Sequence, residues 1–413
     1  MRREDFSENM SGRLIQVPGF APSVVGFVPN PLPREIELPA RIARACEEAA
    51  GLLGWVAGAG EILDPWMDLF LRREAIASSA IEGTVTTAHD LYLFEAQGNK
   101  TSEADTHEQR EVHNYVVAMG YAQKKLETLP FSWRIVREAH AELMRDVRGG
   151  DKRPGEFRIE QNWIGNTRNI EEARFIPPPR DEMMKSLDDL EKFFHEDTSI
   201  PNLIRLAMIH YQFETIHPFG DGNGRMGRLM IPLQLCSWGV LPAERPPRIY
   251  LSAYFEKQDR EYRNLMLGVS QRGDWPAWYS FFVEAIRSEA QDIQNRATQL
   301  RQLQDRYLQA ISDEPARLQR VVKGLFKQPV MQIKDIAQLA GITRQQATTY
   351  AKRLCDLKIT SHTERKWGRY YIAREIMKVF FDEPGPTAAG GAETSNRDSG
   401  PASSTEPLLP FGH

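Results

Sequence analysis

His217-Pro218-Phe219-Gly220-Asp221-Gly222-Asn223-Gly224-Arg225-Met226-Gly227-Arg228 is the stretch that decides how this chain is read. Before it, Leu206, Ile209, Phe213 and Ile216 recur on one helical face, and after it a helical run continues from Leu229 to Trp238. Gly220, Gly222 and Gly224 let the backbone turn sharply and approach a ligand without Cβ interference. Loop amides that feed a helix N-terminus make a cradle for phosphate oxygens. Arg225 and Arg228 are three apart, so both guanidinium groups can project near one side of that helix start and bind a polyphosphate. Asp221 supplies the hard oxygen that Mg²⁺ takes when phosphates fill its other positions. His217 is the one group here whose unperturbed pKa, ~6.5, suits a general base at neutral pH. The loop holds no Ser, Thr or Cys, so the chemistry expected is direct attack on phosphorus by a deprotonated substrate hydroxyl. A glycine-rich turn with incidental charges would not specify so many residue types in so short a run.

Outward from the loop, residues 39 to 311 are dominated by the helical period. Expected helices are Ala40–Trp55, Pro65–Glu82, Glu108–Leu126, Ser132–Val147, Asp181–Glu196, Pro201–Ile216 and Arg225–Trp238. In Asp181–Glu196 the buried face is read as Met184, Leu187, Leu190 and Phe194. Phe157–Ile176 interrupts this pattern as an isolated β-hairpin around Asn166–Asn169, ended by Pro177-Pro178-Pro179. Glu284–Ile311 reads as a connector helix that packs on its own domain. The expected fold is mainly α: a helical core with a β-hairpin flap, plus a C-terminal winged helix-turn-helix. The divisions are an irregular N-terminal arm (1–38), a helical domain (39–130), a catalytic domain (131–283), a connector (284–312), the winged module (313–382) and a disordered Pro/Gly/Ser/Thr-rich tail (383–413).

The 413 residues carry a net charge of −4, but unevenly. From Lys323 to Lys378 there are twelve Lys/Arg against four Asp/Glu, a net of +8 that leaves −12 on the remainder. No apolar run approaches the ~18 residues of a membrane span. The start, Met1-Arg2-Arg3-Glu4-Asp5, turns acidic where a signal peptide needs its apolar stretch. Cys46, Cys236 and Cys355 fit neither a disulfide framework nor a zinc spacing. The expected setting is a reducing cytoplasm with no membrane partner.

The loop resembles the signature of the Fic family, His-Pro-Phe-x-Asp/Glu-Gly-Asn-Gly-Arg-x-x-Arg, at every specified position. Pro154-Gly155-Glu156-Phe157-Arg158, Asn162-Trp163-Ile164-Gly165, Pro177-Pro178-Pro179 and Trp275-Pro276-Ala277-Trp278 extend the resemblance over roughly residues 30–285. It implies transfer of AMP from ATP to a Ser, Thr or Tyr hydroxyl of target proteins and of the chain itself, with release of pyrophosphate. On that reading His217 is the base and Asp221 holds Mg²⁺ against the α- and β-phosphates. Pro218, Phe219, Gly220 and Asp221 belong to the ATP and anion-hole set with Gly222, Asn223, Gly224 and Arg225, which form the hole itself, and Arg228 meets the γ-phosphate. A kinase-like branch places Lys where this chain has Gly224, which favours AMP transfer; a phosphocholine-transferring variant stays open on the loop alone. Gln212, Tyr254 and Arg260 are assigned to the nucleotide's base and ribose, the latter two from the segment Tyr250–Tyr262.

Ser78-Ser79-Ala80-Ile81-Glu82-Gly83 closes a helix, with Gly83 as a left-handed cap. A glutamate there opposes the helix dipole and needs compensation. The segment resembles the family's inhibitory motif Ser/Thr-x-x-x-Glu-Gly/Asn, which implies that Glu82 pairs with Arg228 and restrains the enzyme. The hairpin at 157–176 resembles the family's flap, which implies a target protein bound by strand addition. Ile333–Ala347 has helix-turn-helix spacing, with Gly341 in the turn and Thr343 as N-cap, followed by a wing over Lys358–Ile372. Arg344, Gln345, Thr349 and Lys352, with Arg365, Lys366 and Arg369 on the wing, could approach DNA through residues 333–372. A module for protein contacts or homodimer formation is the other reading, and both stand. A function of another class also stays open: a DNA-binding regulator whose Fic body senses nucleotide or a partner with little turnover.

Overall fold

The computed structural model describes residues 1–96, 107–365 and 368–381. The tail expected at 383–413, and Lys366 and Trp367 of the expected wing, lie outside the described residues. So does the side chain of Arg365.

The chain opens not as an irregular arm but as an antiparallel pair, β1 (Gly12–Gln16) and β2 (Val25–Pro29), in register from Gly12↔Pro29 to Gln16↔Val25. Every residue of β2 is buried, which β-branched Val25 and Val28 and the Phe27 ring favour. Helices α1 (Ala40–Gly58), α2 (Gly60–Leu63), α3 (Met67–Ile81), α4 (Ala88–Ala96) and α5 (His107–Leu126) follow. Then come α6 (Trp133–Leu143), α7 (Arg180–His195), α8 (Asn202–Ile216), α9 (Asn223–Ser237), α10 (Ser252–Lys257) and α11 (Asp259–Arg272). On α7 the buried face is Met183, Leu187, Leu190 and Phe194, whereas Met184 is 38% exposed. A step of about 100° per residue puts Met183, four before Leu187, on the stripe that Met184 leaves.

The expected connector is not a separate element. It is the distal part of α12 (Trp275–Ala310), which starts behind an Asp274 cap and packs along α1. The C-terminal part holds α13 (Ala316–Leu325), β3 (Val330–Met331), α14 (Ile333–Ala340), α15 (Arg344–Asp356), β4 (Ser361–Arg365), β5 (Gly368–Ile372) and α16 (Arg374–Phe381). Its strands pair in the order β3-β5-β4, both pairs antiparallel. This part is docked on the body: Phe380 meets Phe70 of α3 edge-to-face at 4.9 Å, and Lys334 reaches the Ala96 carbonyl.

Residues 157–176 are also not the expected hairpin. They hold one antiparallel bridge, Ile164↔Phe175, and a short 3-10 turn at Ile170–Glu172. The reason lies in where the donors go. The Arg158 amide donates to the Pro218 carbonyl and not to a strand partner, and the side chains of Arg158, Asn162 and Gln161 tie the segment to the 217–219 loop and to Pro177. Pro177, Pro178 and Pro179 have no amide to offer. The arm lies beneath this segment, with Phe27 N–H on the Ile176 carbonyl and Val17 and Val24 packed on Ile170, Ala173 and Ile176.

Candidate functional site

Helix α8 stops at Ile216 because His217 takes a left-handed conformation (φ 51°, ψ 60°), and Gly222 (φ 74°) turns the chain into α9. Asn223 closes the loop from within: its Oδ1 accepts the Phe219 N–H at 2.8 Å and its Nδ2 donates to the Phe219 carbonyl at 2.9 Å. His140 of α6 braces it from below. Its ring stacks on Phe219 at 3.8 Å, Nε2 donates to the Asp221 carbonyl at 2.9 Å, and Nδ1 accepts the Gly155 N–H at 2.9 Å. Burial lowers the His140 pKa to about 4, so the ring stays neutral and both bonds persist at neutral pH. From above, Arg158 gives Nε to the His217 carbonyl (3.0 Å) and its amide to Pro218 (2.8 Å), and Asn162 gives Nδ2 to Phe219 (3.1 Å).

The loop opens onto a cavity walled by the end of α3, the 162–175 segment, α8, α9 and α11. His217 lines it. Its Nδ1 lies 3.2 Å from the Glu214 carbonyl, which can only accept, so Nδ1 carries the proton and Nε2 keeps its lone pair. Burial is the main cause that lowers the His217 pKa to about 4, against the opposing Glu214 contact. A neutral ring at pH 7 is what a proton acceptor requires. Asp221 accepts the Gly222 amide at 2.6 Å through Oδ1, and its Oδ2 lies 3.7 Å from Lys152 Nζ.

Arg228 enters the cavity from α9 with its side chain only 2% exposed. Nη2 donates to Glu82 Oε1 at 2.6 Å and to the Ser78 carbonyl at 2.8 Å, and Nε donates to Ser78 Oγ at 2.9 Å. Burial works against this charge, but Glu82 leads the neighbours that outweigh it and hold the guanidinium well above its ordinary value. Glu82 follows α3 directly and Gly83 (φ 84°) turns the chain away. The Glu82 carboxylate lies so close over Gly224 that a Cβ there would stand 2.1 Å from Oε1. Any side chain at 224 would displace it.

His217, Gly220, Asp221, Gly222, Asn223, Gly224, Arg228 and Glu82 thus share one cavity, and Ser78 holds Arg228 from behind. Other expected residues stand apart. Pro218 and Phe219 sit behind the wall, Phe219 in the core. Arg225 does not line the cavity: its guanidinium lies 3.5 Å from Glu111 Oε2, 3.5 Å from Met144 Sδ and 3.9 Å from Asp221 Oδ1, so the two arginines do not converge. Gln212 is spent on the Asn30 carbonyl of the arm, Tyr254 packs on Phe281, and Arg260 borders a separate surface groove.

The α11 wall was not legible as a site: Tyr262, Arg263, Met266, Leu267 and Ser270 line the cavity, and only Tyr262 falls in the segment Tyr250–Tyr262. Three- and four-residue steps put them on one side of α11, but that spacing does not say what the side faces. Glu214 was also missed. Its Oε1 is buried with no partner among the described residues, and burial pushes its carboxyl up to about 7.

Residues 130–235 match the Fic/DOC family and residues 43–124 match the Fic/DOC family N-terminal region. Protein adenylyltransferase fic-1 of Caenorhabditis elegans is 30% identical over 106 residues, 24% of this chain and 19% of that protein. Protein adenylyltransferase Fic of Drosophila erecta is 24% identical over 254 residues, 60% of this chain and 43% of that protein. The chain therefore spans less than half the length of these curated relatives. A Fic family protein from Desulfovibrio desulfuricans G20 has a solved structure with TM-score 0.52 and 22% identity, covering 83% of this chain and 98% of that one. A Fic-1 structure from Caenorhabditis elegans has TM-score 0.50 and 19% identity, covering 63% and 74%. At these identities the likeness is one of fold.

Proposed function

Over residues 43–124 and 130–235 this chain belongs to the Fic/DOC family, and on that premise we propose that it is a protein adenylyltransferase held in check by Glu82. It moves AMP from ATP to a Ser, Thr or Tyr hydroxyl of target proteins and of itself. The observation that carries this is the Glu82–Arg228 pair over Gly224, in the cavity that also holds His217 and Asp221.

His217 Nε2 takes the proton from the target hydroxyl. The hydroxyl oxygen then bonds to the α-phosphorus while the bond from that phosphorus to the β-bridging oxygen breaks, and pyrophosphate leaves. The imidazolium so formed keeps its Nδ1–H on the Glu214 carbonyl, which offsets part of the new charge. Amides of the 222–224 turn, at the positive end of α9, favour the phosphate oxygens. Arg228 turns to the γ-phosphate once Glu82 leaves it. Asp221 is the residue that would hold Mg²⁺: a single carboxylate beside a phosphate cradle suits an ion that brings its other oxygens from nucleotide and water. When bound, the ion neutralises phosphate charge. Among the described residues there is no acidic or histidine cluster to bind a metal without the nucleotide. The target segment lies along the Ile164–Phe175 pair by backbone pairing; both residues line the cavity, which supports this placement.

The test is incubation with α-labelled ATP and Mg²⁺. Glu82→Gly protein should label itself and proteins in a lysate, and absence of label on both would overturn the reading.

A second function is favoured by one surface. On α15 Arg344, Gln345, Thr348, Thr349 and Lys352 are exposed together. We propose that this face meets DNA; a fragment-shift assay should weaken steeply with salt, and no shift at low salt would refute it. Cys46 and Cys236 are buried free thiols, which suits the reducing cytoplasm proposed as its setting, and among the described residues no helix is long and apolar enough to cross a membrane.

A further inference from the structure

The turn that carries Glu82 is fastened from outside its own helix. A helix ends in carbonyls that its own ladder cannot use. At the end of α3 the Glu82 and Thr84 amides return to Ser79, and the Gly83 amide returns to Ala80. The Ile81 carbonyl is taken by α11: Arg263 Nη2 donates to it at 2.7 Å. Arg263 is itself aimed by Asp259, one turn back on α11, whose Oδ1 accepts its Nε at 2.5 Å. A cation at this position also suits the negative end of the α3 dipole. The same guanidinium forms part of the cavity wall beside Tyr262 and Met266. Glu82 is therefore seated by two arginines with different tasks: Arg228 holds its carboxylate, and Arg263 holds the backbone one residue before it.

We propose that Arg263 is a positioning residue of the inhibited state, seating Glu82 over Gly224 through the Ile81 carbonyl, and that a nucleotide which draws this guanidinium into the cavity loosens the inhibitory turn. This rests on the nucleotide reading given above. It differs from the Glu82–Arg228 contact in acting on the backbone, and in coming from α11, another wall of the same cavity.

Two readouts test it on the full chain, amide hydrogen exchange over residues 79–84 and the affinities for ATP and for ADP. A hydrogen bond from a charged donor is worth enough to change an equilibrium by about ten- to a hundredfold. Arg263→Ala should speed exchange of the Glu82, Gly83 and Thr84 amides by at least about tenfold. It should also raise the ATP-to-ADP affinity ratio, because only ATP competes with Glu82 for Arg228. Asp259→Asn, outside the cavity, should move both readouts the same way by less, and it decides the matter if Arg263→Ala does not fold. In a Glu82→Gly background Arg263→Ala should leave the ratio where Glu82→Gly has set it. Unchanged exchange in both variants overturns the proposal. So does equal weakening of ATP and ADP without faster exchange, which would make Arg263 a nucleotide ligand only. Faster exchange in a protein that binds neither nucleotide would uphold the clasp and sink the adenylyltransferase reading instead.

Discussion

Removing Glu82 should change ATP binding in a way that ADP does not share. Arg228 is almost fully buried, and among the described residues Glu82 is its one carboxylate partner by direct contact, with its own side chain 14% exposed. A charge-assisted hydrogen bond in such a place is worth about 1.5–3 kcal/mol. At about 1.4 kcal/mol per decade, Glu82→Gly should tighten ATP by roughly ten- to a hundredfold. ADP, with no γ-phosphate, should change by less than about threefold, an allowance for generalised charge at the screened cavity mouth. Arg228→Ala should bind ATP poorly with or without Glu82, so the double variant should resemble Arg228→Ala and the cycle should be strongly non-additive. Isothermal titration of both nucleotides into the four proteins measures every corner. Glu82→Gln controls for the change at the helix end. If ATP and ADP tighten equally and the two substitutions combine additively, Glu82 acts only by its bulk charge and the inhibitory contact is refuted.

Four further outcomes follow from the same geometry. His217→Ala should cut labelling by ~10²–10⁴-fold while ATP affinity stays near that of the parent, and full labelling would mean that another group takes the proton. Asp221→Asn should shift the Mg²⁺ dependence of labelling to higher concentration, whereas an unchanged titration would remove its assignment as the metal ligand. Glu214 has a folded pKa of about 7, above its ordinary 4.5, so its contribution to stability is present below pH 4.5 and lost as pH rises through 7. Glu214→Gln should therefore raise the urea midpoint at pH 8 relative to the parent and do little at pH 5; equal effects at both would show that the carboxyl is not protonated in the fold. Phe380→Ala removes the ring packed on Phe70 of α3 and should cost about 3–5 kcal/mol in urea unfolding, and a loss below 1 kcal/mol would mean that α16 does not dock as described.

Contiguity explains what was legible. The loop chemistry was readable because its twelve residues are adjacent in the chain, so short covalent distances already bring base, acid and glycines together. Glu82 could be placed at a helix end by Gly83, and the helical period exposed the buried stripes of α7 and α8. The tertiary structure decided what those stripes face. Arg225 and Arg228 look equivalent in sequence, since three residues of helix separate them by only about 60°. Glu111 and Met144 draw one away, and Ser78 and Glu82 draw the other into the cavity. His140, Arg158 and Asn162 gave no periodic signal, because each acts by a side-chain bond to a backbone group far along the chain. The arm became a strand pair that lies under residues 157–176, and within those residues the Arg158 amide went to the catalytic loop. Periodicity records which face leaves water; the partner beneath that face is a property of packing, which a single local pattern does not encode.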